Sequence, residues 1–137
     1  MSPTRRTAVL SERECERLLK AKALGRLAIV VDGLPQIFPV NYAYDRRVVV
    51  FRTSPGLKLE RGPYTQAAFE VDSVDRKAGV AWSVVVNGTA QDISGATDTL
   101  AEHLRRLAVR PQAPGARTRW MAVYAARITG RRFPLGR

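Results

Sequence analysis

The hydrophobic pattern begins with helical spacing and changes to strand spacing near Arg26. Ser11 and Glu14 form a capping box, in which each side chain can satisfy a free backbone N–H at a helix start. The apolar residues that follow predict a helix that covers a sheet, with Gly25 as the C′ glycine that ends it. Beyond Arg26 the apolar residues fall into short runs between turn residues, which is typical of β-strands.

Six such runs follow one another along the chain. The predicted strands are residues 27–31, 36–44, 47–53, 65–71, 80–90 and 120–128. Asp32-Gly33 is a hairpin turn signal, and Gly88 inside the fifth strand indicates a bulge or a sharp bend. A second capping box, Thr99 with Glu102, predicts a helix before the last strand. We therefore expect a mainly β fold with short helices, built as a six-stranded antiparallel barrel.

Length and composition favour one domain, with residues 1–10 as a flexible basic lead and residues 11–137 as the domain. The single Cys15 excludes an internal disulfide, and one cysteine with one histidine excludes a structural zinc site within one chain. No apolar run approaches the roughly 20 residues of a membrane span, and no secretory signal is visible. A cytoplasmic location without a membrane partner is the expectation.

The net charge of +11 is concentrated in the second half of the chain, where residues 76–137 carry 11 lysines and arginines against 3 acids. A basic surface attracts polyanions, so both nucleic acids and phosphorylated ligands are possible partners. The arginines are dispersed singly or in pairs through patterned segments. A solvated basic surface is therefore favoured over a nucleic-acid site.

The most distinctive stretch lies where the third predicted strand ends. The apolar run 48–51 gives way to Arg52 and Thr53, Pro55-Gly56 breaks the strand, and Lys58 follows. Two cations, a hydroxyl and the amides of a tight turn could hold a phosphate. The alternative is an ordinary strand–turn junction with solvated charges.

Other candidates lie on neighbouring strands. Pro39 cannot donate to a ladder and so indicates an edge strand, a bulge or a barrel rim, and Asn41 and Tyr42 follow it. Trp82 and Ser83 stand at the start of the fifth strand, near where a ligand could lie.

The remaining titratable candidates favour structural roles. The acids Glu70, Asp72 and Asp75 are expected to be turn residues or partners of arginines rather than an acid–base pair. His103 is expected to be solvent-exposed on the second helix. We therefore assign neither a catalytic residue nor a metal ligand.

Four motifs follow one another across the predicted sheet. They are Pro39-Val40-Asn41-Tyr42, Phe51-Arg52-Thr53-x-x-Gly56-x-Lys58-Leu59, Phe69-Glu70-Val71-Asp72-x-x-Asp75 and Trp82-Ser83-Val84-Val85-Val86-x-Gly88. In this order and spacing they resemble the pyridoxamine 5′-phosphate oxidase-like flavin-nucleotide-binding proteins, over roughly residues 11–132. The resemblance implies a split β-barrel that forms a homodimer, with the cofactor in the interface.

The resemblance also implies how FMN would be held. Its phosphate would contact Arg52, Thr53 and Lys58. The residues that the resemblance assigns to the isoalloxazine ring are Pro39, Val40, Asn41, Tyr42, Trp82 and Ser83. Trp120 and Arg131 could come from the partner chain. Some relatives use a deazaflavin cofactor, whose longer anionic tail a basic groove would also suit, but the F-R-T-x-x-G-x-K pattern favours FMN.

The function implied is an FMN-binding oxidoreductase that reduces or oxidises a small organic substrate, with the hydride chemistry supplied by the flavin. The basic C-terminal signature with which the oxidase clamps pyridoxal phosphate is missing, so vitamin B6 oxidation is not implied. His103 does not match the flavin-adjacent histidine of nitroimidazole-reductase-like relatives. A flavin or deazaflavin carrier without turnover is the alternative, and a basic nucleic-acid-binding barrel is a third, less favoured reading.

Overall fold

Antiparallel strands dominate the computed structural model, which describes residues 6–53, 64–107, 109–110 and 119–136. The strands and helices in these ranges are β1 (Ala8–Val9), α1 (Glu12–Ala21), β2 (Leu24–Val31), β3 (Leu34–Asp45), β4 (Val48–Thr53), β5 (Tyr64–Asp75), β6 (Val80–Asp92), α2 (Thr99–Leu104) and β7 (Arg119–Pro134). Neither of these helices is long and apolar enough to cross a membrane.

Six strands close into a ring. The hydrogen-bonded order is β7–β4–β3–β2–β5–β6, and β6 then pairs with β7 to complete the circle. The predicted mainly β class and antiparallel barrel are confirmed. Within the described residues the strands number seven, because β1 pairs two residues of the N-terminal lead with Arg131 and Arg132 of β7.

The barrel interior is the main core, and α1 closes one end of it. Successive side chains of a strand point to opposite faces, so every second residue is buried, as Leu27 and Ile29 are on β2. From α1, Cys15 and Leu19 are fully buried in the same cluster. The Tyr42 hydroxyl donates a 2.6 Å hydrogen bond to the Leu19 carbonyl oxygen, which ties the helix to β3.

A second, smaller core lies outside the barrel, where α2 covers the outer faces of β4 and β7. Val48 and Val50 of β4 and Ala122 of β7 pack there against Ala101 and Leu104 of α2. The apolar run of β4 is therefore buried on both faces, since Val49 and Phe51 point into the barrel. This double burial fixes where β4 ends and so where Arg52 lies.

Two sequence signals for backbone geometry are confirmed. Asp32 and Gly33 have φ values of 51° and 78°, which fits the predicted tight hairpin turn between β2 and β3. The β6–β7 pairing shifts register between Asn87 and Gly88, which is the predicted bulge. A second hairpin turn with positive φ, at Arg46 and Arg47, joins β3 to β4.

Helix boundaries were predicted less well. Ser11 caps α1 as predicted, accepting a hydrogen bond from the Glu14 N–H. The prediction for Gly25 was wrong, because α1 ends at Ala21 and Gly25 is buried in β2, where a side chain would collide with Phe69. Asp98 rather than Thr99 caps α2, since the Asp98 carboxylate accepts from the Ala101 N–H. The predicted turn or short helix at 55–62 lies outside the described residues.

Candidate functional site

Strand alternation divides the predicted site residues between the two faces of the barrel wall. Val40, Tyr42 and Thr53 are only 2%, 4% and 5% exposed, and Trp82 packs against the interior core. The side chains of four others lie on the opposite, outer face, namely Pro39, Asn41, Arg52 and Ser83. Lys58 lies outside the described residues.

The four outward residues form a band across the outer face of the sheet. Tyr42 pairs with Phe51, and continuing this register by one residue places Asn41 beside Arg52. Ser83 lies on β6, which is separated from β4 by β3, β2 and β5. Four strand spacings correspond to roughly 19 Å along the sheet surface. Arg52 and Ser83 therefore lie at opposite ends of a band that follows the curved outer face of the barrel.

Arg52 is held over an aromatic ring. Trp120 is its partner in the β4–β7 pairing, and the Arg52 Cζ atom lies 5.0 Å from the centroid of the Trp120 ring. This distance is that of a cation–π interaction. The next pair along the ladder is Thr53 with Arg119, whose Nε donates a 2.8 Å hydrogen bond to the Asp92 carboxylate. The end of β4 is therefore held from the side of β7.

Arg26 and two carboxylates occupy the middle of the band. The Arg26 guanidinium bonds the Glu70 carboxylate, with Nε at 3.0 Å, and also lies 2.9 Å from Asp72. The bond to Glu70 raises the pKa of Arg26, whereas burial and the neighbouring Asp72 raise the pKa of Glu70. Glu70 and Asp72 are thus confirmed as partners of an arginine. Arg26 was not among the predicted site residues, although its place opposite Pro39 and Glu70 follows once the strands are paired.

The inward residues can reach a ligand on the outer face only through their backbones. The Tyr42 hydroxyl is committed to the Leu19 carbonyl, its ring lies edge-on to Phe69 at 4.6 Å, and burial raises the pKa of the phenol. Thr53 is buried, so its hydroxyl lies on the other side of β4 from the Arg52 guanidinium. The hydroxyl that made Thr53 a candidate is thus separated from the cation by the strand itself.

An apolar patch extends the outer face beside the band. We call Leu24, Val30 and Ile37 the β2–β3 patch, and their exposed fractions are 54%, 46% and 70%. A shallow cavity of about 230 Å³ adjoins the patch. Its lining residues are Ala28, Ile29, Val30, Pro35, Gln66, Ala67, Ala68 and Asn87.

His103 lies away from the band and is not simply exposed, as the sequence had suggested. Its Nε2 atom lies 2.7 Å from the Asp45 carboxylate, which joins α2 to the end of β3. This hydrogen bond lowers the pKa of Asp45. The pair therefore links two elements of the fold, α2 and the end of β3.

Comparison with known proteins supports a single family for the chain. A family model described as pyridoxamine 5′-phosphate oxidase matches residues 11–132. The structure of the FAD binding protein from Mycobacterium smegmatis is 36% identical, with a TM-score of 0.75, covering 93% of this chain and 98% of that one. An FAD-binding protein from Mesorhizobium loti is 26% identical, with a TM-score of 0.70, covering 92% and 97% respectively.

A relative found by sequence similarity has a name that states no activity. The uncharacterized protein Rv0080 of Mycobacterium tuberculosis is 32% identical over 96 residues. This match covers 66% of the present chain and 63% of the relative, which is less than two thirds of the relative's length.

Proposed function

The chain belongs to the pyridoxamine 5′-phosphate oxidase family, and we propose that it binds FMN on the outer barrel face and serves as an oxidoreductase for a small organic substrate. The observation that carries this proposal is the position of Arg52, a cation held at the end of a doubly buried strand beside Asn41. A flavin nucleotide carries a phosphate at one end, and a positioned cation can hold that phosphate with charge-assisted hydrogen bonds.

The described residues fit the two ends of FMN differently. The Arg52 guanidinium offers several N–H donors to a phosphate, and the backbone of Thr53 adjoins it at the strand end. Asn41 offers an amide to the polar edge of the ring, and Pro39 offers a flat apolar surface two residues away on the same face. Ser83 lies too far from Arg52 to share the phosphate. It is the candidate for the distal end of the ligand, and Lys58 remains a proposed second cation.

When bound, the flavin would supply the redox chemistry, since hydride transfer belongs to the cofactor rather than to side chains. The protein's part is to bind the phosphate, orient the ring through hydrogen bonds and shield one of its faces from water. No acid–base residue is assigned, because Glu70 and Asp72 are engaged with Arg26 in the band.

We also propose that a second copy of the chain covers the β2–β3 patch. Three exposed aliphatic residues on two adjacent strands, next to a cavity partly lined by alanines, form a surface that contact with another protein would bury. A twofold dimer suits such a patch, because the protruding Ile37 and the cavity lie on the same surface and can face each other across the axis. A ligand on the adjoining band would then lie near the interface.

FAD is the second candidate cofactor, favoured by the two structural relatives whose names state that they bind it. FAD carries a diphosphate where FMN carries a phosphate, so Arg52 would serve both. A deazaflavin remains a third choice. Titrating the purified protein with FMN, FAD, a deazaflavin cofactor and riboflavin ranks the four directly, and absence of binding to all of them would refute the proposal. DNA binding that survives moderate salt would instead favour the nucleic-acid alternative.

Arg52→Gln tests the phosphate assignment. Hydrogen bonds to charged groups contribute about 1.5–3 kcal/mol, so FMN affinity should fall about 10- to 100-fold while riboflavin affinity changes little. Arg76→Gln is the matched control, because Arg76 is an exposed arginine in the β5–β6 turn, away from the band. Equal losses for FMN and riboflavin would contradict the assignment.

Turnover is tested separately from binding. The flavin-loaded protein is mixed with NADPH, and then with NADH, without oxygen, while its visible absorbance is followed. Bleaching followed by recovery on adding an organic acceptor is expected of an oxidoreductase. A flavin that stays oxidised with both donors would favour the carrier alternative.

A further inference from the structure

The Arg52 guanidinium is in contact with an aromatic ring on the neighbouring strand. Trp120 lies directly opposite on β7, and the Arg52 guanidinium sits over its ring at 5.0 Å. We propose that Trp120 is a positioning residue, which fixes Arg52 for a phosphate and so gives the site its preference for phosphorylated over unphosphorylated flavins. This inference rests on the proposed flavin-binding function.

Trp120 is suited to this role because it is itself fixed. Its backbone N–H donates a 2.8 Å hydrogen bond to the Ser94 hydroxyl, and its backbone carbonyl oxygen accepts one of 2.8 Å from the Ile93 N–H. Its side chain packs against the small core under α2. The ring is therefore a platform tied to the segment between β6 and α2, and it does not depend on the ligand for its position.

The physical consequence concerns the entropy of binding. An arginine side chain that is immobilised by a ligand loses rotamer entropy, and this loss weakens binding. Contact with Trp120 restricts Arg52 before the ligand arrives, so less of that entropy is lost at binding. The contact leaves the positive charge of Arg52 in place, because an aromatic ring attracts a cation without neutralising it.

The effect must appear as a change in selectivity. Riboflavin has no phosphate for Arg52 to bind, so loosening Arg52 weakens FMN and spares riboflavin. A merely structural role for Trp120 would weaken both ligands together. The informative quantity is thus the ratio of the riboflavin dissociation constant to the FMN dissociation constant.

The experiment measures this ratio for the unsubstituted protein and four variants, of which Arg52→Gln is one. In Trp120→Leu the ratio should fall about three- to tenfold, the range expected when a cation–π contact is lost. Trp120→Phe keeps an aromatic face and should retain most of the ratio. Tyr124→Leu is the matched control, because Tyr124 is a half-buried aromatic residue on the same strand that packs against the same core, but pairs with Val48 rather than Arg52.

The outcomes separate this inference from the function on which it rests. An unchanged ratio in Trp120→Leu, alongside a fall in Arg52→Gln, would overturn the role of Trp120 and leave the phosphate site intact. Equal weakening of both ligands in Trp120→Leu, or a ratio change as large in Tyr124→Leu, would also overturn it. If Arg52→Gln itself leaves the ratio unchanged, the phosphate assignment fails and the inference fails with it.

Discussion

Closure of the barrel depends on a glycine, and replacing Gly88 by alanine is the sharpest test of the fold. Gly88 lies at the register shift between β6 and β7, where the two backbones approach closely. A Cβ atom at this position would overlap the carbonyl oxygen of Tyr124 and lie 2.8 Å from its carbonyl carbon and 3.2 Å from the Ala125 Cα. These are backbone atoms, so no side-chain rotation can relieve the overlap.

The magnitude follows from what has to move. Relieving the overlap means pushing β7 away from β6 at the bulge, which strains the longest ladder of the barrel. Adding a methyl group to a well-packed site usually costs 1–3 kcal/mol, and a clash with backbone belongs at the upper end. We expect Gly88→Ala to lower the free energy of unfolding by about 3 kcal/mol, which corresponds to a fall of about 10 °C in Tm for a domain of this size.

Urea unfolding at one fixed protein concentration is the assay, because the stability of an oligomer depends on concentration. Gly95→Ala is the matched control, since a Cβ atom there would meet nothing within 4 Å. It should change the free energy of unfolding by less than about 0.5 kcal/mol. If Gly88→Ala were within about 1 kcal/mol of the unsubstituted protein, the close approach of β6 and β7 would be wrong.

Two further predictions concern the end of β3 and the β2–β3 patch. The His103 hydrogen bond lowers the pKa of Asp45, so the ionised carboxylate stabilises the fold above the unfolded pKa of about 3.9, and this stabilisation is lost as pH falls below about 4. Asp45→Asn should therefore be less stable than the unsubstituted protein in urea at pH 5, and this difference should be smaller at pH 3; a constant difference would contradict the linkage. Ile37→Asp should shift the protein towards monomer in sedimentation equilibrium, whereas Val9→Asp, at a still more exposed aliphatic residue on β1, should not. Equal behaviour of the two variants would exclude the β2–β3 patch as the dimer surface.

Local sequence patterns predicted the strands well because adjacent hairpins need only local information. Alternation located each strand, and the Asp32-Gly33 turn fixed the pairing of β2 with β3. The pairings that close the ring are β2 with β5, β4 with β7 and β6 with β7, and each joins segments distant in sequence. No local pattern encodes such pairings. The same limit explains the wrong prediction for Gly25. This glycine lies in β2, where Phe69 of the paired strand comes close, and the neighbouring sequence does not reveal that contact.

The candidate site was predictable as a set of segments but not as a set of side chains. The motifs located the end of β4 and the middle of β3, which the structure brings side by side. They did not distinguish inward from outward residues, so Tyr42 and Thr53 were grouped with Asn41 and Arg52. The face that a side chain occupies depends on how its strand pairs with its neighbours. A motif along one strand carries no information about that pairing.

The structure also changes what the positive charge of the chain means for function. Two arginines lie on the outer band, but they differ in what surrounds them. The charge of Arg26 is matched by two carboxylates, so this residue has little left with which to attract an anion. Arg52 lies over the Trp120 ring, a contact that helps to orient its guanidinium at the end of β4. For the proposed phosphate site, the position of an arginine in the barrel is therefore more informative than the net charge of +11.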